Sequence, residues 1–320
     1  MTEAVRLPKA PQTAPPKSKI AAMDVKKPRS LWTDAWRAYR RHRLAMFGTA
    51  VLLFFIVAVT IGPLLRPTDL ASVGDFANAF QAPSLEHPMG TDPLGRDLLS
   101  LSLIGGRVSI AVGIAAMLVA IFLGTAIGSI AGYFGGRMDN VLVWVTDLFL
   151  ALPTLPVLLL VIYLFRDSLR KVFGINLGIF ILTVVVIGAL NWMPVARLVR
   201  AAFLSLKQKE FIEAAHSVGT RTPSIMFRHI LPNSLSPIIV AATLSVGAAI
   251  ILESTLSFLG VGFPPDMPTW GRLLYDSRDY IEQFPWLAIF PGLLISITVL
   301  SINFMGDGLR DALDPRRTQG

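Results

Sequence analysis

Six apolar stretches, each near the twenty or so residues that cover the hydrocarbon core of a bilayer, dominate this chain of 320 residues. They run over 44–65, 107–133, 141–165, 175–199, 235–258 and 286–306. In lipid every backbone polar group needs an internal partner, so such stretches form helices. The sequence therefore predicts an all-α, polytopic protein with six transmembrane helices. Composition agrees: 53% of residues are hydrophobic and 16% charged, against about 25% charged in a soluble domain. Cysteine is absent, which excludes disulfides and Cys-based metal or redox chemistry.

The formal charge of +8 is concentrated at one end. Residues 1–43 hold eleven Lys and Arg against three acids, which accounts for all of it. Beside so much apolar sequence this reads as a cytoplasmic anchor near anionic lipid headgroups, with no nucleic-acid partner. The first apolar stretch is longer than the apolar region of a signal peptide, so it is read as a retained span. An inside N-terminus and six spans place the C-terminus inside too, along with the loops at 134–140 and 200–234. The loop at 200–234, with Arg200, Lys207, Lys209, Arg221 and Arg228, suits that side. The loop at 166–174, "RDSLRKVFG", is net positive yet falls outside. Residues 1–30, rich in Pro, Ala and Lys, read as a disordered basic tail. Trp32, Trp36 and Tyr39 recur at helical spacing in 31–43 and predict an interfacial helix.

Gly124, Gly128 and Gly132 share one helix face and invite close backbone approach. That approach serves either a subunit interface or internal packing. Pro153 and Pro156 interrupt the third stretch, Pro194 the fourth and Pro291 the sixth, each removing a helix hydrogen bond. Asp147 lies about two turns into the third stretch, and Glu253 near the outer end of the fifth. Intramembrane acids are costly and mark a specific pair or a pathway. Two do not make a proton relay, so structural pairing or cavity lining is the expected role.

Catalytic signatures are missing. The four histidines form no H-E-x-x-H pair, and no G-x-S-x-G turn occurs. No Gly-Lys dipeptide exists, so no Walker A loop does either. The chain is expected to be no enzyme and to need no cofactor or metal. Any pumping draws energy from a partner or an ion gradient.

The loop "EFIEAAHSVGTRTPSIMFRHILPN", Glu210 to Asn233, is larger than a connection requires. Residues 207–217 predict a short helix with Phe211 and Ile212 on its apolar side, ended by Gly219. Thr222 as N-cap and Pro223 at the first position predict a second helix, punctuated by Pro232. Glu213 and Arg228 are available for pairing. Helix, turn and helix together read as a docking element.

"EAAHSVG" followed by "HILPN" resembles the EAA motif of bacterial ABC importer permeases. His229 stands two residues before Leu231-Pro232 where the general pattern has Ile, and "RHILPN" is similar to the peptide-importer branch. "HPMGTDPLGRDLLSLSLIGGRVS" (87–109) resembles the C-type permeases of dipeptide and oligopeptide importers, with Leu101 where that branch often has Arg. Residues 253–271 and 290–316 are similar to the same family, and the likeness covers roughly 31–316.

The resemblance implies a type I ABC importer permease fold with both termini cytoplasmic, in a bacterial inner membrane. It divides the chain into the tail 1–30, an N-terminal region 31–106, a permease domain 107–306 with coupling loop 200–234, and a cytoplasmic tail 307–320. It also implies a homologous second permease subunit, two ATP-binding subunits and an extracytoplasmic solute-binding protein as partners. Within the motif, Glu213 would pair with the ATPase, Ala214 and Ala215 would give close fit, and Gly219 the turn. Leu231 and Pro232 would fix the exit to the fifth span. Asp307, Arg310, Asp311 and Asp314 would mostly be solvated. The cargo stays open among peptides, nickel and other small solutes. An autonomous channel or ion-coupled carrier is the alternative from another class.

Overall fold

The structure is a computed structural model that describes residues 31–65 and 74–314, so the basic tail 1–30 lies outside the described residues. The helices are α1 (Leu31–Arg41), α2 (Arg43–Leu65), α3 (Leu98–Phe134), α4 (Gly136–Ala151), α5 (Thr154–Phe173), α6 (Ile175–Ala189) and α7 (Trp192–Lys207). They continue with α8 (Glu210–Ser217), a composite α9 over 222–233, α10 (Leu235–Phe258), α11 (Trp270–Ser277) and α12 (Trp286–Leu313). Among the described residues the single β feature is an isolated bridge between Thr91 and Asp97.

Four helices, α2, α3, α10 and α12, are long and apolar enough to cross a membrane alone. The third and fourth predicted spans are each broken: α4 and α5 meet at 88°, and α6 and α7 at 42°. The first break follows from Pro153, which has no N–H to continue the ladder and disfavours helical geometry at Leu152, observed extended at ψ 136°. At the second, Asn191 donates its side-chain amide to Ile187 O at 2.7 Å and satisfies a freed carbonyl. The predicted loop at 166–174 is corrected. Its residues continue α5 to Phe173, and Gly174 alone, at φ +82°, reverses the chain into α6. The second span also begins earlier than predicted, at Leu98, because buried Asp97 caps it by accepting from the Ser100 amide at 2.8 Å.

α3 is the mast of the bundle. Its glycine stripe faces α7. A Cβ on Gly124 would lie 2.5 Å from Val195 Cβ, one on Gly128 2.9 Å from Val199 Cβ, and one on Gly132 2.7 Å from Phe203 Cβ. Of the two readings of that stripe, internal packing is the one realised. Gly188 lets α6 meet α3 in the same way, at Val119 and Ala116. α6 and α7 therefore stack end to end along α3. α10 packs beside it, where Gly113 meets Ile250, and Gly48 of α2 lies against Ser301 of α12. α1 folds back on α12: Tyr39 is buried under Gly308 and hydrogen-bonds Thr49, while Trp36 stays exposed. The end of the bundle where α3 and α7 finish is called lower, the opposite end upper.

The upper end is closed by a polar turn. Asp92 accepts from the amides of Leu94 (2.9 Å) and Arg96 (2.8 Å) and pairs with the Arg96 guanidinium at 2.6 Å. His87 meets the buried Asp97 carboxylate at 3.0 Å. Leu101 is buried with Leu98, Leu273 and Leu287, so this position serves packing.

Candidate functional site

The loop at the lower end folds as two short helices on a core of its own. Ile212, Ala215, Ile225, Met226 and Ile230 are buried with Tyr133, Val199, Phe203 and Ile238. The loop is thus tied to the ends of α3, α7 and α10. α8 ends in a Schellman motif. The Thr220 amide bonds Ala215 O at 3.1 Å, the Gly219 amide bonds His216 O at 2.9 Å, and Gly219 sits at φ +77°. A Cβ on Gly219 would touch nothing, so glycine is required by the backbone angle alone.

The second helix departs from expectation in two places. Its cap is Arg221, with Thr222 already helical and Pro223 following it. Pro232 does not end the segment but widens it. Proline cannot donate, and its ring crowds the carbonyl four residues back. The chain answers with a π turn over Ile225–Ile230, closed by Leu231 N to Met226 O, before Leu231–Asn233 resumes α-helix.

The six predicted coupling residues divide by direction. Glu213, Ala214, Gly219 and Pro232 are exposed, while Ala215 is buried and Leu231 packs partly against the same core. Phe211, Val218 and Phe227 are large apolar side chains left exposed beside them. The apolar side of α8 is therefore split, with Ile212 inward and Phe211 outward. Among the described residues neither Glu213 nor Arg228 has an ion-pair partner. Phe211, Val218 and Phe227 thus face solvent together with Glu210, Glu213, Arg221 and Arg228, on a loop anchored by its own core.

The two intramembrane acids have different settings. Glu253 on α10 is 0% exposed. It accepts from Ser109 of α3 at 2.9 Å and from Ser257 at 2.7 Å. Ser109 in turn accepts from the Trp270 amide at 3.3 Å, and the Trp270 indole donates to Ser102 O at 2.9 Å. Glu253 is thereby part of a clamp joining α3, α10 and α11. Asp147 on α4 pairs with Arg197 of α7 at 2.5 Å, with about half of each side chain exposed. About two turns lower, Asp139 receives two bonds from Arg200, 2.5 and 2.7 Å. Sequence reasoning finds neither arginine as a partner, because the pairs are 50 and 61 residues apart and join different spans. Asp147, Arg197 and Arg200 line, with Gly128, Thr146 and Ala196, a cavity of about 340 Å³ between α3, α4 and α7.

Two family models match the chain. The binding-protein-dependent transport system inner membrane component covers residues 124–319. The N-terminal TM domain of oligopeptide transport permease C covers 30–83. The chain belongs to this family of C-type ABC importer permeases. A dipeptide transport system permease protein of Alkalihalophilus pseudofirmus is 39% identical to this permease over 306 residues, 96% of this chain and 95% of the relative. An oligopeptide transport system permease protein of Escherichia coli K12 is 41% identical over 290 residues, 90% and 92% of the two chains. A glutathione transport system permease protein of Pectobacterium atrosepticum is 37% identical over 303 residues, 94% and 97%. Among solved structures, an inward-facing MetNI methionine ABC transporter superposes with a TM-score of 0.52 over 66% of the permease and 94% of that chain, at 19% identity, a likeness of fold. The permease is a multi-pass protein of the bacterial inner membrane. It is one component of an importer that also has ATPase and substrate-binding partners.

Proposed function

We infer that the permease forms half of an ATP-driven pathway for peptides. A homologous permease forms the other half, two ATP-binding subunits sit at its lower end, and a solute-binding protein delivers cargo at its upper end. The lower end is then cytoplasmic, as the basic residues of 1–43 and 200–234 favour. The peptide cargo is drawn from the relatives, named for dipeptide, oligopeptide and glutathione transport.

The observation that carries this reading is the exposed patch around Gly219. α8 and α9 share a core with the ends of α3, α7 and α10, so a push on the patch displaces whole spans as rigid bodies. Exposed Glu213 pairs with a cation of the ATPase, Ala214 permits close approach, and Phe211, Val218 and Phe227 fill its groove. Ala215 and Leu231 hold the element to the span ends. Asp307 and Arg310 contribute solvation.

Glu213→Lys and Gly219→Val test this in the complete complex. Both variants are expected to insert and accumulate, because neither side chain is in the core. Both lose transport and transport-stimulated ATP hydrolysis. Normal transport by both refutes docking at this patch. Failure of an ATPase pair to co-purify with the wild-type chain favours an autonomous channel or carrier.

A further inference from the structure

The breaks in the third and fourth spans lie at one height. Phe149, two residues before the end of α4, has its ring 6.2 Å from that of Trp192, the first residue of α7. Gly124 of α3 meets Trp192 at the same level, ten residues and so about 15 Å from the end of α3. That level is inside the hydrocarbon zone. At the α4–α5 break the amides of Thr154 and Leu155 and the last carbonyls of α4 have no intrahelical partner. The junction adds the bond from Leu152 N to Phe149 O, 3.2 Å, and no side chain caps α5. All ten residues from Asp147 to Pro156 are exposed.

Broken backbone at this depth is tolerated only where protein or water covers it. The Asp147–Arg197 pair lies one to two turns below on the same two helices, with 52% and 57% of its side chains exposed. A half-exposed ion pair does not face lipid tails. Two independent polar features thus exclude lipid from one face. The α2 face that exposes Leu53 and Phe54 belongs to an unbroken helix and has no ion pair beside these residues among the described ones.

We propose that the face formed by Asp147 to Pro156 and Arg197 lines the water-filled solute pathway of the importer, with the helix break at its mid-depth. The proposal deepens the importer reading and rests on it. The wall carries Leu150, Leu152 and Leu155 together with one charge of each sign. It therefore offers no net charge to trap a solute that bears both an ammonium and a carboxylate, as a peptide does.

The permease has no cysteine of its own, so label read on this chain reports the introduced cysteine alone. Leu150→Cys, Thr154→Cys and Leu155→Cys are compared with Leu53→Cys and Phe54→Cys in the complete complex in membranes. The probe is a charged, membrane-impermeant methanethiosulfonate, which reacts with thiolate and so requires water at the sulfur. Labelling about tenfold faster at 150, 154 and 155 than at 53 and 54 is the expected result. Equal labelling of both sets overturns the proposal, whether lipid or the second permease covers the face. ATPase co-purification and transport are read on the same preparations. A wet face without those partners sinks the importer reading alone, and a dry face with active transport sinks the pathway assignment alone.

Discussion

Near the upper end of α3, Glu253 is sealed from solvent and receives hydroxyl hydrogen bonds from Ser109 and Ser257. On the α4–α7 face, Asp147 and Arg197 pair in the open beside a broken helix. The first arrangement fixes three elements in one geometry, since each polar atom is satisfied only there. Around it Gly105 and Gly106 admit Thr269 and Trp270 against α3, and Gly271 lies on Ser254. The second arrangement tolerates rearrangement, because water can replace either partner. One molecule thus holds a clamped half and a half whose polar groups survive separation. That is what an element that changes shape requires.

The comparison breaks most severely at the seam both halves share. Gly128→Leu puts a Cβ 2.9 Å from Val199 Cβ and forces α3 and α7 apart. Overpacking of this kind costs about 3 kcal/mol, and the expected outcome is little or no folded permease in the membrane, read by its steady-state level. Next comes the clamp. Glu253→Ala leaves two buried hydroxyl donors without an acceptor beside a new void, a loss of about 3 kcal/mol, while Glu253→Gln keeps an acceptor and most of the stability. Thermal unfolding of the purified complex separates the two. If Gln costs as much as Ala, charge and not acceptor geometry holds the clamp.

The ion pairs give a finer test. Asp139 is largely buried against Arg200, so Asp139→Asn is expected to cost on the order of 2 kcal/mol. Asp147→Asn, at the open pair, changes stability by roughly 0.5 kcal/mol or less, and its effect falls on transport. Equal destabilisation by both removes the contrast between the closed and open pairs.

The spans, the motif loop and its helix-ending glycine are legible in the sequence because each rests on local chemistry. Apolar length dictates a crossing, and a left-handed turn dictates Gly219. Pro153 marks an interruption, but its 88° angle depends on how α5 packs against α6 and so on residues far along the chain. The glycine stripe announces close packing without naming its partner, since α7 begins 68 residues after Gly124. The split between Ala214 and Ala215 is equally hidden, as both sit one after the other on a short helix. Only the core formed with Ile225, Val199 and Phe203 decides which one turns inward. Arg200 reads as a cytoplasmic loop cation, and Arg197, inside the fourth stretch, has no readable partner until α4 is set beside them.

The smallest effect belongs to the upper cap and sharpens the same contrast outside the membrane. Burial raises the Asp276 carboxyl above the ordinary aspartate range, and Arg272, 2.9 Å away, only partly offsets this. The folded state then binds this proton more tightly than the unfolded chain. Its contribution to stability is present below the unfolded aspartate pKa and is lost as pH rises through the raised folded value. Acidification from neutral toward the carboxylate range therefore favours the folded cap through this group. In Asp276→Asn the group no longer titrates, so the wild type's unfolding temperature should rise relative to the variant's as pH falls across that window. Identical slopes show that Arg272 neutralises Asp276 fully and that the upper cap holds no ionic strain. A wild type that falls relative to the variant on acidification reverses the sign and makes the pair a net stabiliser of the ionised form.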